Sequence, residues 1–363
     1  MKYFKLFVCV ILIVALFSEC SFRLASSVND LISAVAPFGD NADVKSALDS
    51  FMSNGYSLKN PSSGEYITSY NFYDLDGDDK EEAVAFYEPN DNLGTIRMAI
   101  IKEYSGKWKV VSDITGYGDD AYRLDFADVN NDGKDEILVC WNTISNSNSH
   151  SFVVYNIKFE DKKFVINQIN NEDIYLNNYV IVDFKQNGNN EILMFEINSG
   201  TKTSAKAELY SVNNNEFKLK GETKLDSRVI SYRNINVEKA EGDIRVYADA
   251  IGSNGASIRT EVIYWSNMYN SIVSPFYSYS TGRTSGTSRG CLVNSSDIND
   301  DDRIEIPTDA SLKKLPKNIK SLNWKIYNKT ILVHKAYSLY VIDDNYNIII
   351  PDEYFKNISA VYN

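Results

Sequence analysis

The chain has 363 residues, 44% of them hydrophobic, with 37 basic and 49 acidic side chains and a net charge of −12. That length and apolar content are enough for one large folded unit or two ordinary ones, and they exclude a disordered tail. The acidic balance argues against a nucleic-acid partner, which demands a positive footprint, and suits cation binding instead.

In chain order, the first feature is a leader. Lys2 and Lys5 give a basic start, Leu6 to Phe17 is an unbroken apolar run, and Ser18, Glu19 and Cys20 follow. A run of about a dozen apolar residues is short for a membrane span, which needs roughly 20, and reads as an export signal over residues 1–20. A cysteine directly after it also fits a lipoprotein signal, with Cys20 as the lipidated N-terminus. The other reading is an uncleaved N-terminal anchor. Residues 21–60 form a lead-in whose segment VKSALDSFM has the apolar spacing of a short amphipathic helix.

From residue 61 to 363 the chain reads as all-β. It holds 25 Tyr and 17 Phe, and β-branched residues recur in short runs broken by turn residues. DLDGDDKEEAVAF (Asp74 to Phe86), DVNNDGKDEILVCW (Asp128 to Trp141), DFKQNGNNEILMF (Asp183 to Phe195) and DINDDDRIEIP (Asp297 to Pro307) align on their first residue. All four place Asp at position 1 and Glu at position 9, and three have Asp or Asn at both positions 3 and 5. The step is 54 residues from Asp74 to Asp128 and 55 from Asp128 to Asp183. A fourth unit, INVEKAEGDIRVYAD, keeps Asp243 at position 9 but has Ile235, Val237 and Lys239 where the earlier acids stand. Each unit adds further β-type runs, such as TIRMAIIKEY and KWKVVSDI in the first. Four strands per unit of about 50 residues is the pattern of a propeller blade. The expected fold is an all-β propeller of about five four-stranded blades, or six or seven if the terminal segments form their own. The runs WKIYN, TILVHKA, YSLYVID and NIIIPDE would complete the last blade or close the ring.

This loop-plus-strand unit resembles the FG-GAP and VCBS repeat propellers, whose blades carry calcium loops of the form D-x-[DN]-x-D-G-x-x-[DE]. With its leader, the chain also resembles exported lipoproteins of Firmicutes. Here Gly holds position 6 only at Gly133 and Gly188. Ca²⁺ takes about six to eight oxygens, best supplied by alternate loop residues. Three loops have the donors: Asp74, Asp76, Asp78, the Lys80 carbonyl and Glu82; Asp128, Asn130, Asp132, the Lys134 carbonyl and Glu136; Asp297, Asn299, Asp301, the Arg303 carbonyl and Glu305. The side chains of Lys80, Lys134 and Arg303 would point to water. An EF-hand is excluded, because its twelfth position is Ala85 or Val139 here and a strand follows. In the third loop Lys185 would take the cation's place between Asp183 and Glu191. The expectation is about three structural Ca²⁺ sites, with metal-free acidic turns as the other reading.

Only two histidines exist, His150 and His334, and neither sits near a nucleophile motif. Cys140 lies in an apolar run and reads as a buried thiol, with a Cys140–Cys291 bridge left open. An insertion in the fourth unit brings Tyr264, Trp265, Tyr277, Tyr279 and Arg283 into one stretch, a candidate platform for a sugar or peptide. The expected function is a non-catalytic binding or adhesion module, exported to the outer face of the bacterial membrane or secreted. It would touch the membrane only through its lipid and would bind a glycan or an envelope or extracellular protein. The alternative is a propeller-type carbohydrate-active enzyme of the envelope.

Overall fold

The computed structural model describes residues 39–355, apart from 144–145, 161–162, 170–172, 199–203, 214–215, 241 and 313–314. The leader and Cys20 lie outside the described residues. Among those described, no helix is long and apolar enough to cross a membrane.

The apolar runs that follow three of the acidic loops become the strands Glu82–Pro89, Glu136–Thr143 and Glu191–Asn198. Side chains alternate across a strand, so an uninterrupted apolar run requires burial on both faces. The structure supplies it. On the first of these strands Val84 and Phe86 face a core shared with the second sheet. Ala83, Ala85 and Tyr87 turn the other way, onto Val44 and Leu48 of helix α1 (Asp40–Phe51), the helix expected at VKSALDSFM. On the next, Ile137, Val139 and Trp141 face back to the first sheet and Leu138 and Cys140 forward to the third. On the next again, Ile192 and Met194 face back while Leu193 and Phe195 face forward.

These strands belong to five antiparallel sheets of four or five strands each. The first runs from Tyr56–Lys59 and Asn71–Tyr73, both along Glu82–Pro89, to Arg97–Tyr104 and Lys107–Thr115. The second contains Asp120–Ala127, Glu136–Thr143 and Asn146–Glu160, with Lys163–Gln168 and Ile174–Leu176 on its outer edge. Asn178–Val182, Glu191–Asn198, Ser204–Asn213 and Glu216–Leu225 make the third. The fourth has Val229–Ala240, Asp243–Gly252, Ile258–Ser266 and Ser271–Val273, and the fifth Ile306–Asp309, Ile319–Tyr327, Leu332–Val341 and Tyr346–Ile350. All the C-terminal runs thus fall within the fifth sheet rather than joining the first. The strand Tyr56–Lys59 lies within the expected lead-in, so the first sheet begins before residue 61. The two cysteines are free and sit in separate cores, so no bridge forms.

Close approach between neighbouring sheets is visible at Gly116, where an added Cβ would lie 2.5 Å from the Trp141 ring. Between the fourth and fifth sheets buried ion pairs flank an apolar cluster of Tyr247, Val262, Ile306 and Tyr327. There the fully buried Arg289 donates from Nη2 to Asp249 Oδ1 at 2.8 Å and from Nη1 to Thr260 Oγ1 at 2.9 Å, and also reaches the Pro307 carbonyl. Asp249 accepts from the amide and hydroxyl of Ser295 as well. Arg245 pairs with Glu238 at 2.8 Å and donates to the Tyr327 carbonyl. Removing one member of such a network leaves an uncompensated buried charge. Arg289→Met should therefore cost about 3 kcal/mol in urea unfolding, with part of the loss recovered in Arg289→Met/Asp249→Asn. Equal loss in the single and double variants would contradict the charge-pairing account.

Candidate metal centre

Each acidic loop leads from one strand, or in the last case an isolated bridge, into the buried run that follows, and the four loops share one backbone path. The position 1 carboxylate accepts amides from positions 5 and 6: Asp74 from Asp78 and Asp79, Asp128 from Asp132 and Gly133, Asp183 from Asn187 and Gly188, Asp297 from Asp301 and Asp302. The position 5 side chain accepts the amide of position 7 in every loop, at 3.0 Å for Lys80, Lys134 and Arg303 and 3.1 Å for Asn189. Positions 4 and 6 are left-handed throughout: Gly77 and Asp79, Asn131 and Gly133, Gln186 and Gly188, Asp300 and Asp302. Asp and Asn tolerate that conformation better than other side chains, so glycine at position 6 is dispensable. In the fourth unit Ala240 pairs directly with Asp243, so the strand ladder takes the place of the loop.

Position 9 is where burial and charge collide. Glu82, Glu136 and Glu305 are fully buried, yet each spends one oxygen on the backbone amide of its position 2 residue, Leu75, Val129 or Ile298. What meets the other oxygen differs. In the first loop it is the ammonium of Lys102, which also lies 3.0 Å from Asp76 Oδ2 and 3.0 Å from Asp78 Oδ2. In the second it is the amide of Asn156, at 2.9 Å, together with that of Asn130. In the last loop Glu305 Oε1 is buried without a hydrogen-bond partner, and the Lys335 ammonium lies 3.8 Å from Asp301 Oδ2. The registers Ala83–Ile101 and Ile137–Tyr155 show that Lys102 and Asn156 hold one place, directly across from the glutamate. Across from Glu305, next to the Ile306–Lys325 pair, stands Ile326. Burial drives Glu136 upward to about 7 despite the Asn156 and backbone donors, and burial likewise raises Glu82 and Glu305. Asp78 is held low by its hydrogen bond to Lys102. For Asp297, burial pushes upward but the loop amides outweigh it and hold the group low.

Three expected placements need correction. Lys185 forms no ion pair with Asp183 or Glu191; its ammonium lies 4.3 Å from the centre of the Trp265 ring, while Glu191 keeps a buried unpartnered Oε2. The Arg303 side chain does not point to water but donates to the Tyr327 carbonyl and faces Glu238, because the fifth sheet packs there. The aromatic stretch is divided. Tyr264 and Trp265 together line a cavity of about 350 Å³ with Lys185, Gln186, Asp243 and Asn267, and Tyr264 also packs towards Tyr327. Tyr277, Tyr279 and Arg283 remain together on a separate surface hairpin, the two rings edge to face at 5.1 Å. His150 is buried against Tyr122, and His334 bonds Asn323 and Asp352, so both are accounted for by packing. Lys102 and Asn156 were missed in the sequence. Their signal is a single polar residue inside an apolar run, 20 positions after the glutamate in both units.

The pH dependence follows from Glu136. Its folded value lies above the ordinary 4.5, so its contribution to stability is full below 4.5 and is lost as pH rises through about 7. In chelator, stability should fall across that window by on the order of 3 kcal/mol, and Glu136→Gln should flatten the fall. A wild-type profile with no such slope would contradict the burial argument. No family model matches the chain, and no curated protein matches it. Among solved structures it is similar to the crystal structure of the exotype rhamnogalacturonan lyase YesX, at 11% identity and a TM-score of 0.32, over 81% of this chain and 65% of that one.

Proposed function

We propose that this chain is an exported, calcium-braced array of five propeller-type blades that acts as a binding module without chemistry of its own. The observation that carries the reading is the last loop. Asp297, Asn299 and Asp301 are bonded to one another along the loop, and Glu305, four residues on, keeps a buried Oε1 without a hydrogen-bond partner. A buried carboxylate oxygen without a donor is costly, and a hard cation surrounded by alternate oxygen donors relieves that cost. In this reading Asp128, Asn130, Asp132, the Lys134 carbonyl and Glu136 make a second site once the Asn130 amide turns its oxygen inward. Each ion ties the entry loop to the buried strand after it.

The leader and Cys20 support export and lipid anchoring on sequence grounds. The exposed hairpin with Tyr277, Tyr279 and Arg283 offers an aromatic and cationic face suited to a glycan or an envelope protein. Among the described residues, Asp226 and Glu261, acids that meet outside the loops, are buried and tied to Arg228, Arg259 and Thr284, as structural groups are.

Calcium titration of the chelator-stripped protein from Ser21 to Asn363, with melting curves, tests the reading. Binding with a raised midpoint is expected. Asp132→Ala and Glu305→Gln should each lower the midpoint in calcium by several degrees and change it little in chelator. Equal loss with and without calcium would remove the metal sites.

A further inference from the structure

We propose that Lys102 is the resident cation of the first loop, so that this loop, the most acidic of the set, is a divalent-cation site closed by an ammonium group and opened by replacing one residue. The inference rests on the calcium reading of the second and last loops and deepens it. Four observations carry it.

Lys102 is 5% exposed, although lysine is rarely buried without partners. Its ammonium contacts Asp76, Asp78 and Glu82, which are three of the oxygen donors a hard cation would use in this loop. One carboxylate oxygen from each of Asp74, Asp76 and Asp78 lies within 4.8 Å of the other two, a spacing that an ion could bridge. Asp76, with its side chain 7% exposed, also keeps a buried Oδ1 that no hydrogen bond satisfies, as expected where a point charge has replaced a many-liganded ion.

The repeat provides an internal comparison. The backbone of the first loop matches those of the second and last, so loop shape does not distinguish them. The residue across from position 9 does: lysine in the first sheet, asparagine in the second, isoleucine in the fifth. Lysine brings a charge of its own and three donors, and it excludes a second cation by repulsion as well as by volume. Asparagine brings a dipole that leaves the charge of the site unchanged, and isoleucine brings neither. The site is therefore graded by one cross-strand position, and the first sheet keeps its entry loop braced when no calcium is present.

The test is a reciprocal exchange in the full mature chain: Lys102→Asn, Asn156→Lys and wild type, each titrated with Ca²⁺ by calorimetry after a circular dichroism check. Lys102→Asn should bind one more ion than wild type, and Asn156→Lys one fewer. Lys102→Asn should also melt lower than wild type in chelator and regain the difference in calcium. An unchanged count in a folded Lys102→Asn protein overturns the proposal, as does a drop in wild-type stoichiometry on Asp76→Asn, which would show the first loop already occupied by metal. Should Lys102→Asn not fold, Asn156→Lys decides alone: loss of one ion supports the gating position and an unchanged count refutes it. A wild type that binds no calcium would sink the functional reading, and the closed-site proposal would then be judged by whether Lys102→Asn binds one ion or none.

Discussion

A glutamate at the start of a fully buried strand is the constraint around which this molecule is organised. Glu82, Glu136 and Glu305 are all inaccessible to solvent, and a buried carboxylate must be paired, bonded or neutralised. One oxygen is satisfied locally by the amide of position 2, and that bond folds the acidic loop back over the strand it introduces. The second oxygen has no local answer. The chain supplies an ammonium in one sheet and an amide in another, and in a third it leaves that oxygen without a hydrogen bond, the Lys335 ammonium lying at Asp301 instead, while keeping the loop backbone the same. The alternation of the strand then carries the consequence inward: the residues that follow the glutamate face two neighbouring layers in turn, so the placement of the loop and the stacking of sheets are coupled.

That stacking is apolar through the first four sheets, and buried ion pairs join an apolar cluster thereafter. Cores built on Phe86 with Trp141, Cys140 with Met194, and Phe195 with Tyr232 join successive sheets. Between the fourth and fifth, the apolar cluster of Tyr247, Val262, Ile306 and Tyr327 is flanked by the buried pairs Arg245–Glu238 and Arg289–Asp249. Hydrophobic burial is tolerant of small shifts, whereas a buried ion network fixes one geometry or loses its compensation. The stretch from Phe276 to Arg289 crosses this region, so its surface hairpin is held by charge: Thr284 bonds Glu261, and its amide donates to Asp226.

Much of this was legible in the sequence because its signals are local. Loop spacing, the glutamate at position 9, the doubly buried runs and the helix at Asp40–Phe51 each depend on residues close together in the chain. The missed features depend on distant ones. Lys102 and Asn156 act on loops 20 residues earlier, across a strand register that spacing alone does not announce. Lys185 was expected to neutralise its own loop, but the indole of Trp265, from another sheet, offers its ammonium a face at 4.3 Å. The lysine that does sit among loop acids is Lys102, from the strand beside the first loop. Arg303 turned inward because Glu238 and the Tyr327 carbonyl wait there, which no property of its own loop reveals. Position 6 shows the opposite case, where the residue type departs from the pattern and the left-handed backbone does not.

In the last loop Glu305 Oε1 is buried without a donor, whereas in the first the Lys102 ammonium meets the second oxygen of Glu82. The most direct measurement is an anomalous difference map from crystals of the mature chain grown with calcium. The account predicts a peak among Asp297, Asp301 and Glu305, and none among Asp74, Asp76 and Asp78, where the Lys102 ammonium should appear instead. A peak in the first loop with Lys102 displaced, or an empty last loop at saturating calcium, would contradict it.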